Sequence, residues 1–167
     1  MRWLCVLAGA LAMSVAVAAH AEDYGQQVKK AKFLTIKDAR PVAISSAESL
    51  RSVGNLEFRD GKYIDDCNHP VTPRSITLDV GKALPDVRAV FLEDSACYGA
   101  GGSSLTLLDG NDRVIWQDNA AGVAVLATVH DKVRDLAFGE TGSAFAVWQW
   151  NDSGHVYELL ENVELPN

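Results

Sequence analysis

Turn chemistry recurs along this chain at a spacing that leaves room only for short strands. Asp60-Gly61 separates Leu56 and Phe58 from Tyr63 and Ile64. Asp109-Gly110-Asn111-Asp112 separates Ser104–Leu108 from Val114–Gln117, and Asn151-Asp152-Ser153-Gly154 separates Ala144–Trp150 from Val156–Leu160. Asp, Asn and Gly tolerate the positive φ that tight hairpins demand, so each site is a hairpin signal. Ile76–Val80, Val87–Leu92, Val123–Val129 and Leu136–Phe138 are further short apolar runs. Short strands bounded by turns every 8–12 residues or so are the mark of an antiparallel β domain. The expectation is an all-β fold, mainly antiparallel sheet, built as a sandwich or as repeat-like β units.

Residues 55–167 are expected to form that single β domain, preceded by an N-terminal extension over 22–54. Within the extension, Ser45 and Glu48 stand at capping-box spacing ahead of Leu50 and Val53. That pattern predicts one short N-terminal helix over Ser46–Val53. Tyr24–Lys32 is compatible with a second short helix or with disorder. Two segments also resemble one another, Leu84-Pro85-Asp86-Val87 and Val133-Arg134-Asp135-Leu136. Each precedes an apolar strand and a hairpin, a short match that favours repeated β units.

The first 21 residues have the form of a secretory signal. Arg2 supplies positive charge, Trp3–Val17 is almost wholly apolar, and Ala19 and Ala21 have the small-x-small spacing of a cleavage site. The run is shorter than the ~20 apolar residues of a spanning helix. Cleavage after Ala21 would leave Glu22 first and place the mature protein in the periplasm or outside the cell. It would also remove Cys5 and leave Cys67 and Cys97, an even number in an oxidising compartment, for which a disulfide is the expected state. A site built from Cys67, His69 and Cys97 falls short of a zinc site in ligand count, so no metal or cofactor is expected.

Net charge is −7, and loss of Arg2 with the signal makes the remainder one unit more acidic. Such a surface repels phosphate backbones and anionic membranes. Nucleic acid is therefore excluded as a partner, and no membrane association is expected after cleavage. A cationic protein partner in the envelope fits the charge.

Two local sequences stand out as candidate binding elements. In Tyr98-Gly99-Ala100-Gly101-Gly102-Ser103-Ser104, the glycines Gly99, Gly101 and Gly102 carry a high entropy cost on ordering. With Cys97 anchoring its base, the loop reads as a recognition loop carrying Tyr98 and Ser103, or as a plain turn. No G-x-S-x-G elbow surrounds its serines, so no catalytic residue is assigned. The second element is the strand pair Trp148 and Trp150, at i, i+2 on one face. Tryptophans so placed are either core and edge packing or a binding anchor, and such pairs suit stacking on sugars.

Three resemblances arise from these residues. Ile76–Gly81 through Pro85-Asp86-Val87 resembles a degenerate FG-GAP-type strand-turn-strand, whose turn in such repeats is an acidic loop able to bind calcium. Here the Asp79–Asp86 loop keeps two carboxylates and adds Lys82, too few oxygens for calcium, so it reads as a structural turn. A wider pattern is similar to a group of small exported bacterial β-proteins of unassigned function. It comprises Cys67-x-x-Pro70, the Asp79–Asp86 turn, Ala96-Cys97-Tyr98-Gly99, Leu107-Leu108, Val125-Leu126, Asp135-Leu136 and Trp148-Gln149-Trp150-Asn151, within Asn55–Leu160. That resemblance implies a compact β fold with Cys67 and Cys97 paired, and no reaction. Lastly, Ser153-Gly154-His155-Val156-Tyr157 is similar to the S-G-x-x-Y motif of periplasmic lysozyme inhibitors.

The functional expectation is a non-catalytic exported domain that binds another envelope macromolecule. The alternatives are an inhibitor or immunity-type protein against a cell-wall hydrolase such as lysozyme, and an envelope hydrolase using the glycine–serine loop.

Overall fold

The computed structural model describes residues 23–99, 103–139 and 144–165. Residues 1–21, expected from the sequence to be a secretory signal, Glu22 after them, and Gly101 and Gly102 of the glycine–serine loop lie outside the described residues.

Two five-stranded antiparallel sheets form the body. Strands β6 (Arg74–Leu78), β7 (Val87–Glu93), β8 (Ser103–Leu108) and β9 (Val114–Asn119) run as an up-and-down meander. Strands β10 (Gly122–His130), β11 (Val133–Gly139), β12 (Ala144–Asn151) and β13 (Val156–Glu164) repeat that topology in the second sheet. The two similar segments both fall at the start of the second strand of a meander, but Leu84–Val87 only reaches the first residue of β7, whereas Val133–Leu136 forms the first four residues of β11. Each sheet gains a fifth strand from the N-terminal segment. β1 (Phe33–Thr35) pairs with β10, and β2 (Arg40–Pro41) pairs with β6. β3 (Leu56–Arg59), β4 (Lys62–Asp65) and β5 (Pro70–Val71) make a small third sheet. The all-β, mainly antiparallel expectation is thus met.

Side-chain alternation explains why three layers are needed. In β7, Val87, Ala89 and Phe91 enter the core shared by the two large sheets, while Val90 and Leu92 face the other way. A strand apolar on both faces must be covered on both. Leu50, Val53 and Tyr63, from the small sheet and the helix before it, cover Val90, Leu92 and Leu108. On the far side, α1 (Tyr24–Lys30) lays Tyr24 and Val28 over Ala124, Leu126, Ala137 and Val147. The Asp23 carboxylate caps this helix by accepting from the Gln26 N–H. The Gln27 side-chain carbonyl ties it to the sheet by accepting from the Ala127 and Thr128 N–H groups.

The helix expected over Ser46–Val53 is instead a 3-10 helix, Ile44–Leu50. Its cap position is Ala43, with no side-chain cap bond, and Glu48 pairs forward with Arg51 at 2.7 Å instead of closing a capping box. The apolar positions give the reason. Ala47, Leu50 and Val53, all in the cluster against the sheet, recur every third residue. Three residues per turn is the 3-10 period, which keeps Ala47 and Leu50 on one face, and the turn that follows, closed by the Val53 N–H donating to the Leu50 carbonyl, carries the spacing on to Val53.

Candidate functional site

Cys67, in the β4–β5 turn, is bridged to Cys97 of the short helix α2 (Ser95–Tyr98), with Cα atoms 5.8 Å apart. The bridge pins the small sheet to the turn that follows β7. Beside it, Tyr98 is buried against Leu92 and Leu108 and is not presented to solvent. Burial, and then the charges of Asp65, Asp66 and Asp94, push its hydroxyl above the ordinary tyrosine value, so it stays protonated. Gly99 adopts φ +71° after the helix, a conformation that glycine reaches at no steric cost. Ser103 is buried and donates its hydroxyl to the Ala120 carbonyl at 3.2 Å, while the Ser104 hydroxyl accepts from Asn55 Nδ2 at 2.8 Å. Both described serines of the loop are thus tied into the body. A depression of about 570 Å³ opens here, with Asn55, Tyr98, Ser104, Asp118 and Asn119 among its lining.

A second cavity, about 370 Å³, shares Asp118 and Asn119 with the first. Its floor is aromatic. Trp116 of β9 lies stacked on Phe138 of β11, with ring centres 3.7 Å apart and planes within 5°. Trp148 of β12 stands edge-on to both, at 5.7 Å from Trp116 and 6.3 Å from Phe138. The exposed rim is polar, with Asn162 and Glu164 of β13 facing Asp118 and Asn119 of β9. The indole Nε1 atoms of Trp116 and Trp148 are both buried without an acceptor. Indole nitrogen is a donor only, and a buried donor left unpaired is costly.

The structure separates the two tryptophans that the sequence grouped. Trp150 shares the face of Trp148 but sits in the core, 3 % exposed, edge-on to Tyr157 and donating to Asp152 Oδ1 at 3.4 Å. Trp148 lines the cavity. Its true companion is Trp116, which sequence reasoning read only as part of a strand. The stretch Val114-Ile115-Trp116 carries no mark of a site, because only the packing of the β9 edge beside β13 brings that ring to Trp148. By sharing Asp118 and Asn119, the two cavities make neighbours of the Tyr98 corner and the Trp148 slot.

Asp65, His69 and Asp94 form a third group, close to the disulfide. His69 Nδ1 lies 2.6 Å from Asp94 Oδ2. This hydrogen bond holds the His69 imidazolium above its usual pKa and holds Asp94 below the usual carboxylate value. Cys67 and Cys97, being bridged, have no thiolate to offer a metal.

Ser153 and Gly154 lie in the β12–β13 turn, where the Ser153 hydroxyl and the Gly154 N–H both donate to Asn151 Oδ1. Tyr157 is buried, its hydroxyl donating to the Arg134 carbonyl at 3.0 Å. Ser153 and Gly154 therefore close the hairpin turn, and Tyr157 ties the hairpin to β11.

In comparisons with known proteins, no family model matches the chain, and no curated protein or solved structure matches it. The reading of the site accordingly rests on its own chemistry.

Proposed function

We propose that this protein is a non-catalytic, exported binding domain that holds a hydroxyl-rich glycan of the cell envelope in the Trp116–Trp148 slot. The observation that supports this reading is the cavity itself, floored by the Trp116, Phe138 and Trp148 rings and rimmed by Asp118, Asn119, Asn162 and Glu164. Ligand sites are concave, mostly apolar, and finished by a few polar groups that fix orientation. Sugars match such a lining, since their C–H faces pack on aromatic rings. The carboxylates and carboxamides of Asp118, Asn119, Asn162 and Glu164 supply partners for the remaining hydroxyls. A rim with two carboxylates also disfavours phosphorylated or otherwise anionic ligands. The inhibitor reading draws on the acidic net charge, but its S-G-x-x-Y residues are occupied in folding the hairpin.

The test is binding of soluble neutral and N-acetylated oligosaccharides to the exported, disulfide-bonded protein, followed by calorimetry and tryptophan fluorescence. Binding with a shift in tryptophan emission is expected. Trp148→Ala should weaken it at least about tenfold, roughly 1.4 kcal/mol, measured on protein that circular dichroism shows to be folded, since the ring also packs against the core. Trp150→Phe, in the core, should bind normally. Failure of the wild-type protein to bind any of these sugars would overturn the glycan assignment.

A further inference from the structure

A buried carboxylate oxygen with nothing to bind marks a place in the fold apart from the aromatic slot. Asp65 ends β4 and is 5 % exposed. Its Oδ1 accepts from the His69 N–H at 2.8 Å, but its Oδ2 is buried and has no hydrogen-bond partner. Among the described residues no lysine or arginine pairs with it, although Asp66 and Asp94 stand close enough to act on the same tyrosine, Tyr98. Leaving a buried carboxylate oxygen without a donor is expensive, and the nearby His69 imidazolium is already hydrogen-bonded to Asp94. The usual answers in a fold are a paired cation or a metal ion.

The neighbours of Asp65 are ligands for a metal. One carboxylate oxygen each from Asp65 and Asp94, and one ring nitrogen of His69, lie within 4.8 Å of one another. We propose that Asp65, His69 and Asp94 bind a divalent transition-metal cation of the zinc class. The local sequence builds this arrangement in two rigid pieces. The 65–69 turn is closed by the Asp65 N–H donating to the His69 carbonyl and by Asn68, in the left-handed region at φ 64°, donating to the Asp65 carbonyl. The same turn therefore positions two of the ligands. Asp94 comes from the cap of α2, where its other oxygen accepts from the Ala96 N–H at 2.8 Å. The Cys67–Cys97 bridge joins the two pieces between the ligands.

The donor set selects the ion. Calcium and magnesium prefer all-oxygen sites, calcium with six to eight ligands or so. One imidazole with two carboxylates suits zinc and its neighbours in the first transition row. His69, with its side chain about half exposed at 49 %, leaves one side of the site open to water or to an incoming group. The sequence pointed to His69 in company with the cysteines. The disulfide takes the cysteines away, and the fold supplies Asp65 and Asp94 in their place.

The experiment is a zinc titration of the tag-free, exported, disulfide-bonded protein after removal of metal by chelator. Calorimetry should find one zinc per chain, zinc should raise the melting temperature, and calcium should do neither. Asp65→Asn keeps the oxygen that closes the turn and should weaken zinc at least about tenfold. His69→Gln, on a half-exposed side chain, should do the same and carries the test if the first variant fails to fold. Circular dichroism confirms that each variant is folded. Absence of both heat and thermal shift in the wild-type protein overturns the proposal, as does unchanged zinc affinity in a folded variant. Sugar binding by Trp148 is independent of both variants, so failure of one assignment is distinguishable from failure of the other.

Discussion

Asp109 shows how one side chain can define a turn. It is buried, and its Oδ1 accepts from the N–H groups of Asn111 and Arg113 at 2.8 and 2.9 Å. Its Oδ2 accepts from Arg113 Nε at 3.0 Å. Desolvation pushes its pKa up, but the bonds from Arg113 and Asn111 win and hold it below its ordinary value. A carboxylate with a lowered folded pKa contributes stability that is fully present above the unfolded value of 3.8 and is lost as pH falls through the folded value. Asp109→Asn keeps the shape and one acceptor but removes the charge. It should cost about 1–3 kcal/mol at neutral pH and flatten the acid limb of the stability curve, measured by urea unfolding at stepped pH. An unchanged acid limb would show that other carboxylates govern it. The sequence showed a turn at 109–112, because Asp, Gly and Asn there are local signals. It did not show that Asp109 is buried, since that depends on Arg113 and on the packing of the neighbouring loop.

At the scale of the element, the strands and hairpins that turn chemistry bounds were legible. Asp60 and Gly61 both take positive φ, at 51° and 75°, as their turn requires. Strands of two or three residues were not legible. β1, β2 and β5 have no periodicity to read, and they exist because neighbours offer an open edge. β1 also depends on two glycines whose meaning appears only in register. Gly122 and Gly139 lie directly opposite each other in the β10–β11 ladder. Together they form a notch for the Phe33 ring. A Cβ on Gly122 would collide with the Leu34 carbonyl and come within 2.8 Å of the ring, and one on Gly139 would come within 2.6 Å of it. Neither position needs positive φ, so the requirement is space. Gly122→Ala should destabilise by about 1–3 kcal/mol and strip hydrogen-exchange protection from 33–35 first. A stable variant with β1 still protected would mean that the backbone shifts cheaply.

For the whole molecule, the layering decides how it should come apart. The two meanders share one core, but the small sheet has no ladder to either among the described pairings. It is held by the apolar contacts of Leu50, Val53 and Tyr63, by Asn55 bonding to Ser104, His69 to Asp94, Ser52 to Asp112 and Arg88 to Ser49, and by the disulfide. Closing a loop of 30 residues restricts the unfolded chain by about 3–4 kcal/mol in the chain-entropy model. That restriction acts between the small-sheet layer, which no ladder joins to the body among the described pairings, and the body itself. Cys67→Ser with Cys97→Ser should therefore lose about 2–4 kcal/mol. Protection from hydrogen exchange should fall first and furthest over 44–71, while β7, β8, β10 and β11 keep theirs, as expected of a layer that opens as its own unit. The two proposed ligand sites should respond in opposite ways. The slot is built from β9, β11, β12 and β13, which this change does not touch, so sugar binding should survive. The zinc site draws Asp65 and His69 from one side of the bridge and Asp94 from the other, so its affinity should collapse. Serines in place of the cysteines ensure that no new thiolate captures the zinc. A uniform loss of protection across all three sheets would instead make the molecule one cooperative unit, and the disulfide a brace on the whole rather than a hinge pin for one layer.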